Sequence, residues 1–253
     1  MKAKRFIGKI VLVTGGTSGL GRENAIAFAR EGAEVIICGR REQPGIETLE
    51  MVKAFDGKAI FLPCDISDSE DVKHLFVEIQ SRYGRLDVAC NNAAIPDSPQ
   101  ILPTHQYPSE DWDAIYFTNL KGTWQCMKYE IESMLATGGG AIVNIASVFA
   151  YRGSEGRSGY IAGSHGIVGL TKTAALEYAA NNIRINCVCP GGIASDPDDP
   201  LAEEYAKEYA PLMPMKRLGV PVEMAMPVLF LCSAEASFIT GVVLPVDGGW
   251  SAG

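Results

Sequence analysis

The sequence is short of the features that mark membrane, nucleic-acid-binding and metal proteins. No apolar run reaches the roughly 20 residues that a membrane-spanning helix needs, and the start, MKAKRFIGKIVLVTGG, is typical of a first strand rather than a signal peptide. No block of five Lys or Arg occurs and the net charge is −8, so nucleic acid is not expected as a partner. The three histidines are scattered, and we expect no metal and no membrane association.

Cysteine is present, but not in the patterns of disulfides or zinc sites. The seven cysteines are an odd number, no two are spaced as CxxC, and several lie within apolar runs. Reduced, buried thiols are typical of the cytoplasm, where we expect the protein. Hydrophobic residues make up 47% of the 253, enough for the core of one large ordered domain.

Short apolar runs alternate with longer helical patterns along the chain. The runs predict seven strands, at 9–15, 34–39, 58–65, 86–92, 141–147, 183–192 and 241–249. Helices are predicted at 20–33, 43–55, 69–84, 109–140, 159–182 and near 221–233. Strands that are apolar nearly throughout are typical of a parallel sheet covered on both faces. The predicted fold class is therefore α/β: a doubly wound, seven-stranded, parallel, Rossmann-like sheet in a single domain over 1–253.

Two long irregular segments, 93–108 and 191–214, follow predicted strands. Ligands bind in such sheets at the carboxyl ends of the strands, so both segments are placed near a ligand. The second contains the acid- and proline-rich stretch SDPDDPLAEEYAKEY, which we interpret as part of a substrate lid over 191–214.

The first strand-to-helix turn, VTGGTSGLGRENA, has the composition of a phosphate-binding loop. Gly15, Gly19 and Gly21 let the backbone turn tightly and let a pyrophosphate approach, and the following helix offers free N–H groups and the positive end of its dipole. Since this loop opens a series of alternating strands and helices, it predicts a dinucleotide site.

The end of the second predicted strand indicates which dinucleotide. An acidic residue there would bind the ribose hydroxyls of NAD, but this chain has Gly39 followed by Arg40 and Arg41. Two guanidinium groups without a neighbouring acid suit a 2′-phosphate. We therefore expect NADP, with NAD as the alternative.

These segments together resemble the short-chain dehydrogenase/reductase family over essentially the whole chain. The resemblance rests on the TGxxxGxG-like loop from Thr14, on CDIS with Asp65, on NNAA at 91–94, and on NLKG, IVNIAS, the tyrosine thirteen residues later, CPGGI and VDGGW. It implies catalytic roles for Asn119, Ser147, Tyr160 and Ser164. It implies cofactor contacts from Gly15, Thr17, Ser18, Gly19, Leu20, Gly21, Arg40, Arg41, Asp65, Ile66, Asn92, Ala93, Ala94, Tyr160, Pro190, Gly191 and Ile193.

One position departs from the family pattern. The family signature is Tyr-x3-Lys, whereas the fourth residue after Tyr160 is Ser164. The family's lysine holds the nicotinamide ribose, and its charge lowers the tyrosine pKa from about 10. A unit charge about 5 Å away at an effective dielectric of about 20 contributes on the order of 3 kcal/mol, or about two pK units. Lys172 lies about 12 Å further along the helix and is no substitute. Arg152 and Arg157, in the loop before the helix, could reach in and supply a charge.

The resemblance implies an oxidoreductase that interconverts a ketone and a secondary alcohol on a small or cyclic substrate, with Tyr160 as proton donor or acceptor. Because the lysine is missing, two alternatives stay open: a lyase, isomerase or cyclase on the same scaffold, and a non-catalytic protein that binds NADP(H). Members of the family are usually homotetramers or homodimers, which implies a homo-oligomer here.

Overall fold

The structure is a computed structural model that describes residues 4–97, 101–194 and 202–253. Its sheet has seven parallel strands, β1 Ile10–Thr14, β2 Glu34–Gly39, β3 Lys58–Pro63, β4 Val88–Asn91, β5 Gly140–Ile145, β6 Ile183–Pro190 and β7 Val243–Val246. Its α-helices are α1 Gly19–Arg30, α2 Glu42–Lys53, α3 Ser69–Tyr83, α4 Ser109–Ile115, α5 Thr123–Thr137, α6 Ser158–Tyr178, α7 Ala202–Tyr209 and α8 Pro221–Cys232.

The strand order is β3-β2-β1-β4-β5-β6-β7, which confirms the predicted fold class. The chain winds outwards from β1 in one direction through β2 and β3, and in the other from β4 onwards. The switch point lies between β1 and β4, where Thr14 pairs with Asn91 at the carboxyl ends of the two strands. Strands that diverge in this way leave a crevice at their carboxyl edge, which is where ligands bind in this class of fold.

Helices cover both faces of the sheet. On one face α1 and α8 pack on the strands around Phe28 and Leu229, and on the other α3 and α5 pack around Ile79 and Met134. Residues of the central strands between them, such as Leu12, are fully buried. This explains why the strands are apolar nearly throughout rather than alternating. All seven cysteines lie in the described part of the chain, where they are buried and free of disulfides, as predicted.

The predicted helix 109–140 is wrong in two respects. A π-helical turn, Tyr116–Gly122, separates α4 from α5, and α5 ends at Thr137. Gly138 and Gly139 have φ values of 89° and 135°, in the left-handed region that ends helices, and Gly140 already belongs to β5. A π turn adds one residue without changing the apolar character of the segment, so hydrophobic periodicity does not reveal it.

The predicted irregular segment 191–214 contains a helix. Residues 195–201 lie outside the described residues, so the interpretation of that part as a lid stays a prediction. The rest includes α7, whose sequence AEEYAKEY is rich in helix formers and pairs Lys207 with Glu203 one turn earlier, at 3.8 Å. Among the described residues, no helix is long and apolar enough to cross a membrane.

A buried polar cluster lies where α5 meets the sheet. Glu130 is fully buried, and its Oε2 accepts a hydrogen bond from Asn91 Nδ2 at 2.9 Å. The same amide nitrogen donates to Asn144 at 3.0 Å, while Glu130 Oε1 has no partner among the described residues. Burial raises the pKa of Glu130 to about 8, and the Asn91 hydrogen bond only partly opposes this. The carboxyl group is therefore protonated in the folded protein at neutral pH.

Replacing Glu130 with Gln should remove a pH-dependent loss of stability. In the unfolded chain this group ionises near 4.5, but in the folded protein only near 8. The unfolding free energy should therefore fall as pH rises between these values, by up to about 1.4 kcal/mol per pH unit. Urea unfolding is measured at pH 5, 7 and 8.5. As pH rises, the unfolding free energy of Glu130→Gln should increase relative to that of the native chain. Glu132→Gln, exposed on the same helix, is the control and should follow the native curve.

Candidate active site

The turn between β1 and α1 is shaped by its glycines. Gly15 and Gly19 have φ values of 65° and 51°, which glycine adopts without strain. A Cβ on Gly15 would lie 2.7 Å from Ala93 Cα, and one on Gly21 would overlap Gly15 O and lie 2.5 Å from Asn92 Nδ2. These close approaches bring the start of α1 against the end of β4, and they leave no room for side chains.

The amino end of α1 is open to a ligand. Its N-cap, Ser18, makes no side-chain capping hydrogen bond, and the first turn contains no acidic residue. By contrast, Asp68 caps α3 through a 2.8 Å hydrogen bond from Glu70 N. The first N–H groups of α1, together with the positive end of its dipole, are therefore available to an anion such as a pyrophosphate.

A groove of about 240 Å³ runs along the carboxyl edge of β1 to β4. Ten of the predicted cofactor-binding residues line it: Gly15, Thr17, Ser18, Arg40, Arg41, Asp65, Ile66, Asn92, Ala93 and Ala94. Gly19, Leu20 and Gly21 form the first turn of α1 beside it. The structure thus brings these predicted residues together in one site.

The two arginines stand at one end of this groove. Arg41 Nη2 donates to Ser18 Oγ at 2.9 Å, and Arg40 lies 3.7 Å from the Asp65 carboxylate. The Arg40 side chain is 60% exposed, so the ion pair is weak and the guanidinium can reach a ligand phosphate. The opposite wall is fixed by Thr14, whose hydroxyl accepts hydrogen bonds from the backbone N–H groups of Asn92 and Ala93, both at 3.0 Å.

Asn119 lies in the π-helical turn and holds the loop that follows β4. Its Oδ1 accepts a hydrogen bond from Ile95 N at 2.8 Å, and its Nδ2 donates to Ile95 O at 3.0 Å. Its own carbonyl accepts from Thr123 Oγ1 at 2.7 Å. The side chain is therefore fixed in a buried position between the helix and the loop. The sequence suggested a functional contact for Asn119 but gave no sign of this double hydrogen bond.

Ser147 and Tyr160 come together at the carboxyl edge of β5. Ser147 follows that strand and is buried, and its Oγ accepts from Phe149 N at 3.3 Å. Tyr160 lies in the first turn of α6, and the Ser147 side chain is close enough to act on the pKa of its hydroxyl. The tyrosine ring packs edge-on against Phe149, with the ring centroids 6.3 Å apart.

The environment of Tyr160 favours the neutral phenol. Burial raises the pKa of its hydroxyl above the ordinary value of 10, and the Ser147 side chain opposes this. The Asp97 carboxylate raises the pKa further, whereas the Arg157 guanidinium lowers it. The net direction is upward, so at neutral pH the group is a proton donor rather than a base.

Ser164 lies one helical turn after Tyr160 on the same face of α6, and it is buried at 5% exposure. His165, the next residue, is exposed, and its Nδ1 lies 3.0 Å from Ile161 O. Neither position supplies a fixed positive charge.

Several contacts around Tyr160 were not predicted from the sequence, although Arg157 was named as able to supply a charge. Arg157, at the start of α6, contacts Asp97 from the loop after β4 and the hydroxyl of Tyr209 from the end of α7. Trp250 packs against both Phe149 and Tyr209, with ring centroids 5.5 and 6.1 Å apart. Asp97 lies in the irregular segment after a strand. That position was the one feature of the sequence that indicated a place near the ligand.

The remaining predicted cofactor residues lie at the end of β6 and directly after it. Pro190 ends that strand and is buried, and Gly191 N donates to Val246 O of β7 at 3.0 Å. A Cβ on Gly191 would lie 2.8 Å from Asp247 Cα, which accounts for the glycine. Ile193 pairs with Gly219 in an isolated parallel bridge. These three residues lie at the same edge of the sheet as Ser147.

Replacing Gly21 with Ala should damage both the fold and the cofactor groove. The added methyl group would overlap Gly15 O, so the backbone must shift, at a cost of about 1–3 kcal/mol. Urea unfolding should show this loss, and titration should show weaker binding of a nicotinamide dinucleotide. Gly169→Ala in α6 is the matched control, because a Cβ there meets nothing within 4 Å and should be neutral or stabilising.

Comparison with known proteins agrees with this geometry. The family model described as enoyl-(acyl carrier protein) reductase matches residues 15–251. A short chain dehydrogenase/reductase of Aspergillus oryzae is 40% identical over 251 residues, covering 96% of this chain and 95% of its own. A cyclohexanol dehydrogenase of Acinetobacter is 38% identical over 250 residues, covering 98% and 97%.

The fold has close counterparts among solved structures. A chain from Agrobacterium tumefaciens, described as a candidate 2-deoxy-d-gluconate 3-dehydrogenase and holding NADP, superposes with a TM-score of 0.89 at 33% identity over 100% of both chains. The similarities span the whole sheet and the groove. The chain belongs to the short-chain dehydrogenase/reductase family, whose members are oxidoreductases that bind a nicotinamide cofactor.

Proposed function

We propose that the chain reduces a ketone on a small or cyclic molecule, using NADP(H) as hydride carrier. The observation that carries this proposal is the placement of Tyr160 beside Ser147, at the same sheet edge as the groove. When bound, the nicotinamide cofactor supplies or accepts the hydride. The protein residues bind the cofactor, hold the carbonyl oxygen and deliver a proton to it.

Tyr160 is the proposed proton donor. Its raised pKa keeps the hydroxyl protonated at neutral pH, which suits donation to a carbonyl oxygen more than removal of a proton from an alcohol. Ser147 would hydrogen-bond the same oxygen. Asn119 would keep the loop after β4 in place, and Ser164 would donate to the cofactor ribose. The aromatic cluster of Phe149, Tyr209 and Trp250 favours an apolar or cyclic substrate body.

The proposed cofactor is NADP(H), with NAD(H) as the alternative. Arg40 and Arg41 line the groove where β2 ends, and Gly39 leaves that end without an acid. The NADP in the Agrobacterium chain supports the proposal. The uncapped amino end of α1 fits the pyrophosphate that either cofactor carries.

Replacing Arg40 with Ala should narrow the preference for NADPH over NADH. A hydrogen bond to a charged group contributes about 1–3 kcal/mol. The dissociation constant for NADH divided by that for NADPH should therefore fall by roughly 5- to 150-fold. Fluorescence titration with each cofactor measures the two dissociation constants. Arg82→Ala, on the exposed face of α3, is the control. Equal dissociation constants for NADPH and NADH in the native chain would contradict the proposed preference for NADPH.

A Gly39→Asp change should move the preference towards NADH, but the structure shows that it needs a second change. A Cβ on Gly39 would lie 2.8 Å from Thr17 Cγ2, the methyl group that Ser lacks. The double variant Gly39→Asp, Thr17→Ser therefore tests the acid without the clash. Thr17→Ser alone is its control.

The redox function is tested by following NADPH absorbance with a panel of cyclic and linear ketones. Turnover of any member, with a preference for cyclic ketones, supports the proposal. Tight NADPH binding without turnover on a broad panel would overturn it in favour of a non-redox enzyme or a cofactor-binding protein.

The proposed assembly is a homo-oligomer, a tetramer or a dimer. Its support is a set of exposed apolar side chains on the helices of one face. These are Tyr116, Phe117, Trp124 and Leu176.

The segment 191–214 is the proposed substrate lid. It includes the helix α7, whose last residue, Tyr209, contacts Arg157.

A further inference from the structure

An ion pair lies at the start of α6, where Arg157 precedes Tyr160 by three residues, whereas the family's lysine would follow Tyr160 by four. Arg157 Nη1 donates to Asp97 Oδ2 at 3.2 Å. The Asp97 side chain is only 6% exposed and that of Arg157 19%. Water therefore screens this pair less than it screens the exposed pairs of the chain.

Both partners are held by further contacts. The hydroxyl of Tyr107 donates to Asp97 Oδ1 at 2.9 Å, and Arg157 Nη2 donates to the hydroxyl of Tyr209 at 2.7 Å. The guanidinium carbon lies 5.6 Å from the centre of the Phe149 ring, the same ring that packs edge-on against Tyr160. The charges are thus fixed in place by three separate elements of the fold.

The ionisable groups that act on Tyr160 come from each element packed around it. They are Asp97 from the loop after β4, Arg157 from the start of α6 and Cys189 from β6, together with the Ser147 side chain. On α7, it is Tyr160 that acts on the pKa of Tyr205. Within this set Arg157 is the cation and Asp97 the carboxylate. Their effects on the phenol have opposite signs, and that of Asp97 is the larger.

We propose that Asp97 is a positioning residue that fixes and neutralises Arg157, so that no net positive charge acts on the Tyr160 hydroxyl. This inference rests on the proposed function, in which Tyr160 is the proton donor. Arg157 then does not replace the missing lysine, although its charge acts on the phenol. The site therefore favours carbonyl reduction over alcohol oxidation, because a neutral phenol donates a proton readily but accepts one only after it has been ionised.

The inference predicts opposite effects for the two partners. Removing the Asp97 charge exposes Tyr160 to an unopposed Arg157, which favours the phenolate. At an effective dielectric of about 20, a unit charge within about 12 Å changes the phenolate population about tenfold. Asp97→Asn should therefore raise the rate of alcohol oxidation near neutral pH about tenfold, with a smaller effect on ketone reduction.

The direct test titrates Tyr160 by NMR in protein carrying ¹³C-labelled tyrosine, with its signal assigned by loss in Tyr160→Phe. Asp97→Asn should titrate at lower pH than the native chain, and adding Arg157→Gln to it should move the titration back up. Arg152→Gln is the control, because Arg152 stacks on Trp250 at 5.6 Å and is not paired with Asp97.

Two results would overturn the inference. One is an Asp97→Asn titration that stays at the native pH, which means that the carboxylate does not neutralise Arg157. The other is a double variant that titrates no higher than Asp97→Asn, which means that Arg157 does not act on the phenol. The titration needs no turnover, so a chain that binds NADPH but reduces no ketone would contradict the proposed function and leave this test intact.

Discussion

Replacing Tyr160 with Phe should lower kcat for ketone reduction by about 10²- to 10⁴-fold, the usual contribution of a positioned acid. The change removes the hydroxyl beside Ser147 but keeps the ring that packs against Phe149. The fold and the NADPH dissociation constant should therefore stay close to those of the native chain. Steady-state kinetics at saturating NADPH, together with a binding titration, measures both quantities.

The matched control is Tyr151→Phe, a change of the same size near the same site. The hydroxyl of Tyr151 donates to Val243 O at 2.6 Å, a contact with β7. This variant should retain most of its activity. If Tyr160→Phe also retains it, the tyrosine is a packing residue and the chemistry takes place elsewhere.

Introducing the family's lysine with Ser164→Lys should raise alcohol oxidation near neutral pH by about 100-fold. The position lies one turn after Tyr160 on the same face of α6, so an ammonium group there can act on the phenol. The expected lowering of the tyrosine pKa is about two units, and each unit increases the phenolate fraction tenfold while the phenol predominates. The pH profile for oxidation should move to lower pH, and ketone reduction should gain less.

Ser164→Met is the matched control, because it adds a side chain of similar length without a charge. It should not raise the oxidation rate. Since Ser164 is buried, thermal unfolding and NADPH binding are measured for both variants to show that each is folded. An equal gain in Lys and Met variants would mean that packing, not charge, changes the rate. The double variant Tyr160→Phe, Ser164→Lys should lose the gain entirely.

The sequence was sufficient to predict the sheet and the groove because both depend on local patterns. Each strand is a short apolar run, and the glycines at 15, 19 and 21 follow the first of them directly. Since parallel strands end at the same edge, their order along the chain also indicated which loops would meet. Ten of the residues predicted to bind the cofactor, from Gly15 to Ala94, therefore line one groove.

The features that escaped prediction depend on contacts between distant parts of the chain. Arg157 and Asp97 are 60 residues apart, and Arg157 and Tyr209 are 52 apart. Nothing in the local sequence of any of them signals the pairing. The double hydrogen bond between Asn119 and Ile95 likewise joins residues 24 apart in the chain, and Asn119 lies in the seven-residue π-helical segment.

The seven buried thiols give the fold a built-in set of reporters for local opening. Cys38 lies in β2, Cys90 in β4 and Cys187 in β6, and all three are fully buried. A thiol reagent can modify each of them only when the surrounding structure opens, so the rates of modification rank the opening free energies from strand to strand. Identifying the modified cysteines by mass spectrometry would show which part of the sheet loosens first, and whether NADPH slows that step.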